Sequence, residues 1–208
     1  MATTTNYGWT TPDDSSLVKD GAAAIRTLGS SIDTSLNTAL GTKKAGMVLL
    51  NTTSFSGVSS QSINDVFSST YDNYVILYRN TTTSTGNVLT LRYRLSGTDT
   101  SANYGTQRLY AQGTTVSANR DGVGTDEIFI SDMATAQQTI VGHQLNIFGP
   151  NLASPTVSFF SGSALIGADF YPTLTSGFQN SSTQFTGFTL LVNTGTFGGT
   201  VSVYGVNK

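Results

Sequence analysis

Cysteine is missing from the chain, which removes a disulfide framework, every thiolate metal site and any thiol nucleophile. Histidine occurs once, at His143, and glutamate once, at Glu127. A Ser-His-Asp device would have only one place to be, and no Gly-x-Ser-x-Gly elbow surrounds any serine. Charge is scarce as well: Asp, Glu, Lys and Arg make up 11% of the 208 residues, with a net charge of −2, where about a quarter is usual. Lysine occurs only at Lys19, Lys43, Lys44 and Lys208, so the clustered basic surface that nucleic acid requires is absent, and no nucleic-acid partner is expected. No apolar run nears the roughly 18 residues of a membrane span. The opening MATTTNYGWTTP has neither a basic n-region nor an apolar h-region, so a soluble chain without membrane contact or a cleaved export signal is expected. There is no P-loop: Gly195–Gly199 leads into a strand rather than a helix and reads as a tight hairpin turn.

What the chain does contain is hydroxyl and aromatic side chains. Ser and Thr exceed a quarter of the residues, alongside 9 Tyr and 11 Phe. Disordered chains lack such aromatics and β-branched runs, so this one is expected to fold, with neutral hydroxyls standing where charges usually cover strands. That surface suits an extracellular or virion setting.

The apolar residues are segregated. Residues 13–40 read as one amphipathic helix, with Asp13, Asp14, Ser15 and Ser16 as candidate N-caps and Gly41 as the stop. Val18, Ile25, Ile32 and Ala39 recur every seven residues, with Gly21, Leu28 and Ser35 on the alternate seam, an a/d pattern whose d positions are weak. Two readings stay open: a helix packed on its own β domain, or a short bundle around a symmetry axis. Residues 1–12 are a polar arm carrying Tyr7 and Trp9, either a loose tail or a peptide whose aromatics anchor it to a partner. Lys43 and Lys44 read as a linker. The expected domains are 1–44, a docking arm and trimerisation helix, and 45–208, a head.

From Ala45 onward the pattern is strand and turn. Met47–Asn51 and Thr53–Phe55 read as short strands, and Tyr74–Arg79 as a central one. Val88–Leu95 alternates, with Leu89, Leu91, Tyr93 and Leu95 inward and Thr90, Arg92 and Arg94 outward. The Thr-rich turn Asn80–Asn87, with Gly86, predicts a hairpin between these two strands. Residues 97–125 read as loop, apart from a strand near Arg108–Ala111. Glu127–Ser131, Thr139–Phe148, Val157–Ile166, Phe185–Asn193 and Thr200–Val206 complete about eight or nine strands. The expected fold is mainly β: an N-terminal arm and single α-helix followed by a jelly-roll-like antiparallel β-sandwich.

No catalytic constellation is legible, and no cofactor or metal is expected. His143 shares a face with Val141, Leu145 and Ile147 and reads as a satisfied core residue. Asp121, Asp126 and Glu127 lie close in sequence but lack the ligand spacing of a calcium loop, and a glycosidase would need a facing carboxyl pair. They read as solvated acids in a turn. Arg79, Arg92 and Arg94 read as exposed cross-strand partners. Tyr71, Tyr104, Tyr110 and Tyr171 fall in segments read as loops, where tyrosines serve as stacking platforms for sugars and proteins.

The stretch NYGWTTPDDSSLVKDGAAAIRTLGSSIDTSLNTAL (Asn6–Leu40) resembles the opening of tailed-bacteriophage appendage and virion structural proteins. There a Gly-Trp pair, a Leu-Val-Lys-Asp-Gly-Ala segment and an Ile-Asp-Thr/Ser repeat recur. Asn51–Arg79, Leu91–Tyr104 and Phe185–Val206 resemble their bodies. The resemblance implies a virion structural protein, homotrimeric, docked on other virion proteins by its N-terminus and presenting a β-sandwich to the host surface, as in a short tail fibre or spike. On that view Tyr7, Trp9, Val18, Ile25, Leu28 and Ile32 carry docking and assembly. Tyr104, Tyr110 and Tyr171, with the segments 97–125 and 171–183, carry contact with a host glycan or protein. A capsid decoration, cement or head-fibre protein shares the same plan; a glycan-degrading depolymerase, dependent on Asp126 or Glu127, is the minor alternative.

Overall fold

A computed structural model describes residues 2–13, 15, 17–41, 46–84, 87–133, 141–166 and 169–208. Asp14, Ser16, Lys43, Lys44, Gly86 and Thr139, all named above, lie outside the described residues. The chain divides into two compact units, Met1–Ala45 and Gly46–Lys208.

In the first unit, β1 (Ala2–Thr3) and β2 (Thr10–Thr11) pair antiparallel, closed by Gly8 at φ +65°. Helix α1 covers Val18–Leu36 and runs on into a π-helical turn, Asn37–Gly41. It starts later than the acidic cluster suggests. Leu17 is the N-cap and offers no side-chain acceptor, because Asp13 spends its carboxylate locally: Oδ1 accepts from the backbone N–H of Ser15 at 3.1 Å and from its hydroxyl at 2.7 Å. This local turn competes with helix at the position where a cap was expected.

The second unit is a two-sheet antiparallel sandwich. In chain order its strands are β3 (Met47–Val58), β4 (Ser60–Ile63), β5 (Asn73–Thr83), β6 (Asn87–Leu95), β7 (Thr98–Asp99), β8 (Tyr104–Gln112), β9 (Thr115–Thr125), β10 (Ile128–Met133), β11 (Val141–Phe148), β12 (Thr156–Ile166), β13 (Asp169–Gln179), β14 (Gly187–Val192) and β15 (Phe197–Val206). Eight strands form the larger sheet, in the order β3-β15-β5-β11-β12-β13-β8-β9. The smaller sheet runs β10-β6-β14-β4, with β7 paired to β6. Every pairing is antiparallel, including β11 against β12 and β14 against β6. The core lies between the sheets: Tyr74, Ile76, Leu145 and Phe160 from the larger meet Leu89, Leu91, Phe188 and Leu190 from the smaller. Phe67 fills the gap at one end, 4.7 Å from the Tyr74 ring and 5.8 Å from Phe188. Such offset aromatic pairs add to the area they bury.

Several expectations are corrected. Asn80–Asn87 does not make a hairpin: β5 and β6 lie in different sheets, because Tyr74, Ile76 and Tyr78 aim at the core from one side while Leu89, Leu91 and Tyr93 aim at it from the other. The Gly195–Gly199 stretch is likewise a crossing, from β14 to β15, and Phe197 already pairs with Thr83. The two crossings are tied together. Ser84 N–H donates to the Thr196 carbonyl at 2.9 Å, Thr196 N–H to the Ser84 hydroxyl at 2.8 Å, and Val88 N–H to the Asn193 side chain at 2.8 Å. Residues 104–125, read mostly as loop, form the long β8–β9 hairpin, turning at Gly113. Residues 171–179 belong to strand β13. Met47–Val58 is one strand, not two. Leu95 is exposed, since β6 ends there at a turn through Ser96 and Gly97, and Thr90 is buried.

Gly199 sits at a close approach of two strands, β15 and β5. A Cβ there would lie 2.2 Å from the Arg79 carbonyl oxygen and 2.7 Å from the Tyr78 ring, whereas one on Gly142 would meet nothing within 4 Å. Gly199→Ala is expected to cost about 1–3 kcal/mol through overpacking, and Gly142→Ala less than about 0.5 kcal/mol. Urea unfolding followed by far-UV circular dichroism compares the two; equal midpoints would contradict the close approach.

Candidate functional site

The residues expected to act in docking lie in the first unit. Thr4 closes the arm: its backbone N–H donates to the Trp9 carbonyl and its carbonyl accepts from Gly8 N–H, both at 2.9 Å, while its hydroxyl accepts from Trp9 N–H at 3.0 Å. This geometry stacks Tyr7 on Trp9, centroids 5.0 Å apart. The Trp9 indole Nε1–H donates to the Ser35 hydroxyl at 3.0 Å, so the arm is held against its own helix at a weak seam position. Tyr7 remains largely exposed.

No residue of α1 is buried. Val18 is 96% exposed and Ile25 65%; Leu28 and Ile32 are half-covered. Beside this stripe the hydroxyls of Thr27, Ser31 and Thr34 donate to the carbonyls of Ala23, Thr27 and Ser30 at 3.0, 3.0 and 2.8 Å. Their hydrogen-bonding needs are met within the helix, so covering this flank would strand no hydroxyl donor.

In the second unit, His143 is buried between the sheets. Its Nε2 lies 3.0 Å from the Ser131 hydroxyl, its ring stacks at 6.2 Å on Tyr78, and Nδ1 packs over Gly162, where a Cβ would come within 1.8 Å of it. Burial pushes its pKa down to about 4. Asp126 and Glu127 sit in the bend between β9 and β10; Asp121 and Asp126 are exposed and Glu127 is half-buried. Asp121 is on β9, and Asp126 and Glu127 both reach Arg92, at 2.6 and 3.3 Å. They border a cavity of about 240 Å³ with Thr90, Thr125 and Asn193. Burial raises the Glu127 pKa and Arg92 partly opposes the rise. Both carboxylates are thus tied to one guanidinium. Arg94 is not an exposed strip residue either: it pairs with Asp99 and donates to Ser62 and Thr189 at 2.8 and 2.7 Å. Arg108, unremarked in the sequence, lies 3.8 Å over the Phe129 ring and pairs with Asp132 at 3.1 Å.

Of the three tyrosines expected at a receptor surface, Tyr104 is fully buried. Its hydroxyl accepts from Tyr93 N–H at 2.8 Å and donates to the Thr100 carbonyl at 3.1 Å, a corner bracing two sheets, and it has no surface to offer. Tyr110 and Tyr171 are half-buried, on strands β8 and β13 rather than loops, and Arg108 covers the Tyr110 ring at 4.9 Å. Among the described residues no three His, Asp or Glu side chains gather as a metal site, and no helix is long and apolar enough to cross a membrane. Comparison with protein-family models, with curated proteins and with solved structures finds no match.

The His143 pocket generates a pH dependence. Its folded pKa, about 4, lies below the ordinary value near 6.5, so the unfolded chain binds the extra proton first. The stability held by the neutral ring is complete above about pH 6.5 and is lost as pH falls towards 4, by up to the order of 3 kcal/mol. Urea midpoints at pH 7 and pH 4.5 are expected to separate in the native chain and to separate less in His143→Gln. An equal drop in both would assign the acid sensitivity to the carboxylates.

Proposed function

We propose that the chain is a non-enzymatic virion structural protein of the tailed-phage appendage kind, a homotrimer whose first unit docks on other virion proteins and whose sandwich head faces the host surface. The observation that carries the reading is the helix Val18–Leu36, which buries none of its residues although it repeats Val18, Ile25 and Ile32 at heptad spacing. Most helices in proteins take their stability from packing an amphipathic face, and a unit of about 45 residues has little interior with which to supply it. Copies of the same helix would cover the stripe, and the internally bonded hydroxyls beside it make that burial cheap. Tyr7, exposed and preset by stacking on Trp9, is the side chain that would enter a pocket on the neighbouring virion protein.

Capsid decoration is the second reading. What favours it is the head: the groove on the eight-stranded sheet, about 630 Å³, has Tyr78 and His143 as its aromatic lining, and both are buried and offer no ring face to a sugar. Copy number per particle separates the readings, low for an appendage and high for decoration.

Sedimentation equilibrium of the full chain at micromolar concentration is expected to give a trimer. Ile25→Asp is expected to weaken association at least tenfold with the head still folded by circular dichroism. A monomeric native chain would overturn the assembly reading.

A further inference from the structure

The outward face of the larger sheet carries an apolar band that crosses five strands. Phe148 on β11 is opposite Val157 on β12, with Phe159 one outward position along β12. Leu174 on β13 is opposite Leu109 on β8, and Val116 follows on β9, opposite Ala111. These six side chains are 43–76% exposed. Alternation accounts for their direction: their strand neighbours Leu145, Ile147, Ser158 and Thr175 point into the sandwich and are buried. On β11 and β12 apolar residues therefore occupy both faces, with Leu145, Ile147 and Phe160 inward and Phe148, Val157 and Phe159 outward. One buried face requires only half of that pattern.

The residues interleaved with the band are polar but uncharged. Asn146 and Ser176 flank Phe159 in register, and Gln107 is opposite Ser176. Among the described outward positions of these five strands the single charge is Arg120, on the edge strand β9. An apolar centre with charges removed and an amide and hydroxyl rim is the composition of a protein interface. The six side chains expose on the order of 500 Å² of apolar surface, the upper end of what a monomer leaves bare. With the rim, the face approaches the roughly 800 Å² per partner of a standard interface.

We infer that this band is a contact between heads, and that its occupant is the same face of a second copy of this chain. Identical surfaces brought together around a symmetry axis oppose like charges wherever they carry any, and each such pair costs affinity. A face whose one charge, Arg120, lies at its margin largely escapes that penalty, and a highly charged partner would find only that residue to pair with. The inference rests on the oligomer proposed above and adds to the stem a second contact borne by the head.

The test uses the full chain. A photo-crosslinking phenylalanine analogue at position 159 is expected to give cross-links between chains, with the attachment mapped to β11, β12, β13 or β8 of the neighbour. The double variant Phe159→Asp, Leu109→Asp is expected to raise the dissociation constant at least tenfold with the head still folded by circular dichroism, since both positions are solvent-accessible in a single chain. If that variant loses its fold, the cross-linking result decides alone. Cross-links confined within one chain, or none, would overturn the head contact. So would an unchanged dissociation constant in a folded variant. If Ile25→Asp still dissociates the oligomer in that case, the stem reading stands without the head. A native chain that is monomeric removes both.

Discussion

The chain crosses between the sheets after β5 and after β14, and the flanks of the two crossings, Ser84 and Val88 on one and Asn193 and Thr196 on the other, are bound to each other. The reciprocal pair between Ser84 and Thr196, with Val88 N–H on the Asn193 side chain, fixes where β5 leaves the larger sheet and where β15 enters it. Tyr78, Asn80 and Thr83 form a buried polar chain beneath that junction, the Tyr78 hydroxyl donating to Asn80 at 3.0 Å and the Asn80 amide to Thr83 at 2.6 Å. Buried polar groups are tolerated only when paired, and here the pairing makes the crossing unique. A shift of β15 by one residue would aim Val201 and Val203 at solvent. The register of the sheet centre, β15-β5-β11, and with it the cavity that holds His143, follows from this junction.

How far the amino-acid pattern foretold the fold depends on which strand is considered. The inward sets of β6 and β11 were legible because each strand has one fully covered face: Leu89, Leu91 and Tyr93 on one, His143, Leu145 and Ile147 on the other. β9 was invisible because most of its residues are exposed on both faces, so no alternation marks Thr115–Thr125. β13 was masked by Pro172, a residue that normally argues against a strand; it stands opposite Ser163 on β12. The hairpin expected after β5 failed because turn composition says where a chain bends and not which sheet it bends into.

The candidate sites divide the same way. His143 reads correctly as an interior residue because its neighbours two positions away are apolar. Tyr104 was misjudged because Ser101-Ala102-Asn103 before it is turn language, and its burial comes from a long-range corner with Tyr93 that no local window contains. Arg92 with Asp126 and Glu127 illustrates the same limit: an arginine 34 residues away pairs with an acid that stays exposed, a contact no local window contains. The contact of Arg108 with Phe129 had no local signal, since Phe129 comes from the opposite sheet.

Trp9 is the sole tryptophan, while every tyrosine except Tyr7 belongs to the second unit. Its indole is stacked on Tyr7 and hydrogen-bonded to Ser35. The two units therefore carry separate optical signatures. Emission excited at the red edge of the absorption band arises from the arm alone, and its wavelength tracks whether the hairpin is closed on its helix or wrapped in a partner. Near-ultraviolet dichroism sums the tyrosine-rich head with the Trp9–Tyr7 stack, so the emission identifies which part of a change belongs to the arm, without a label.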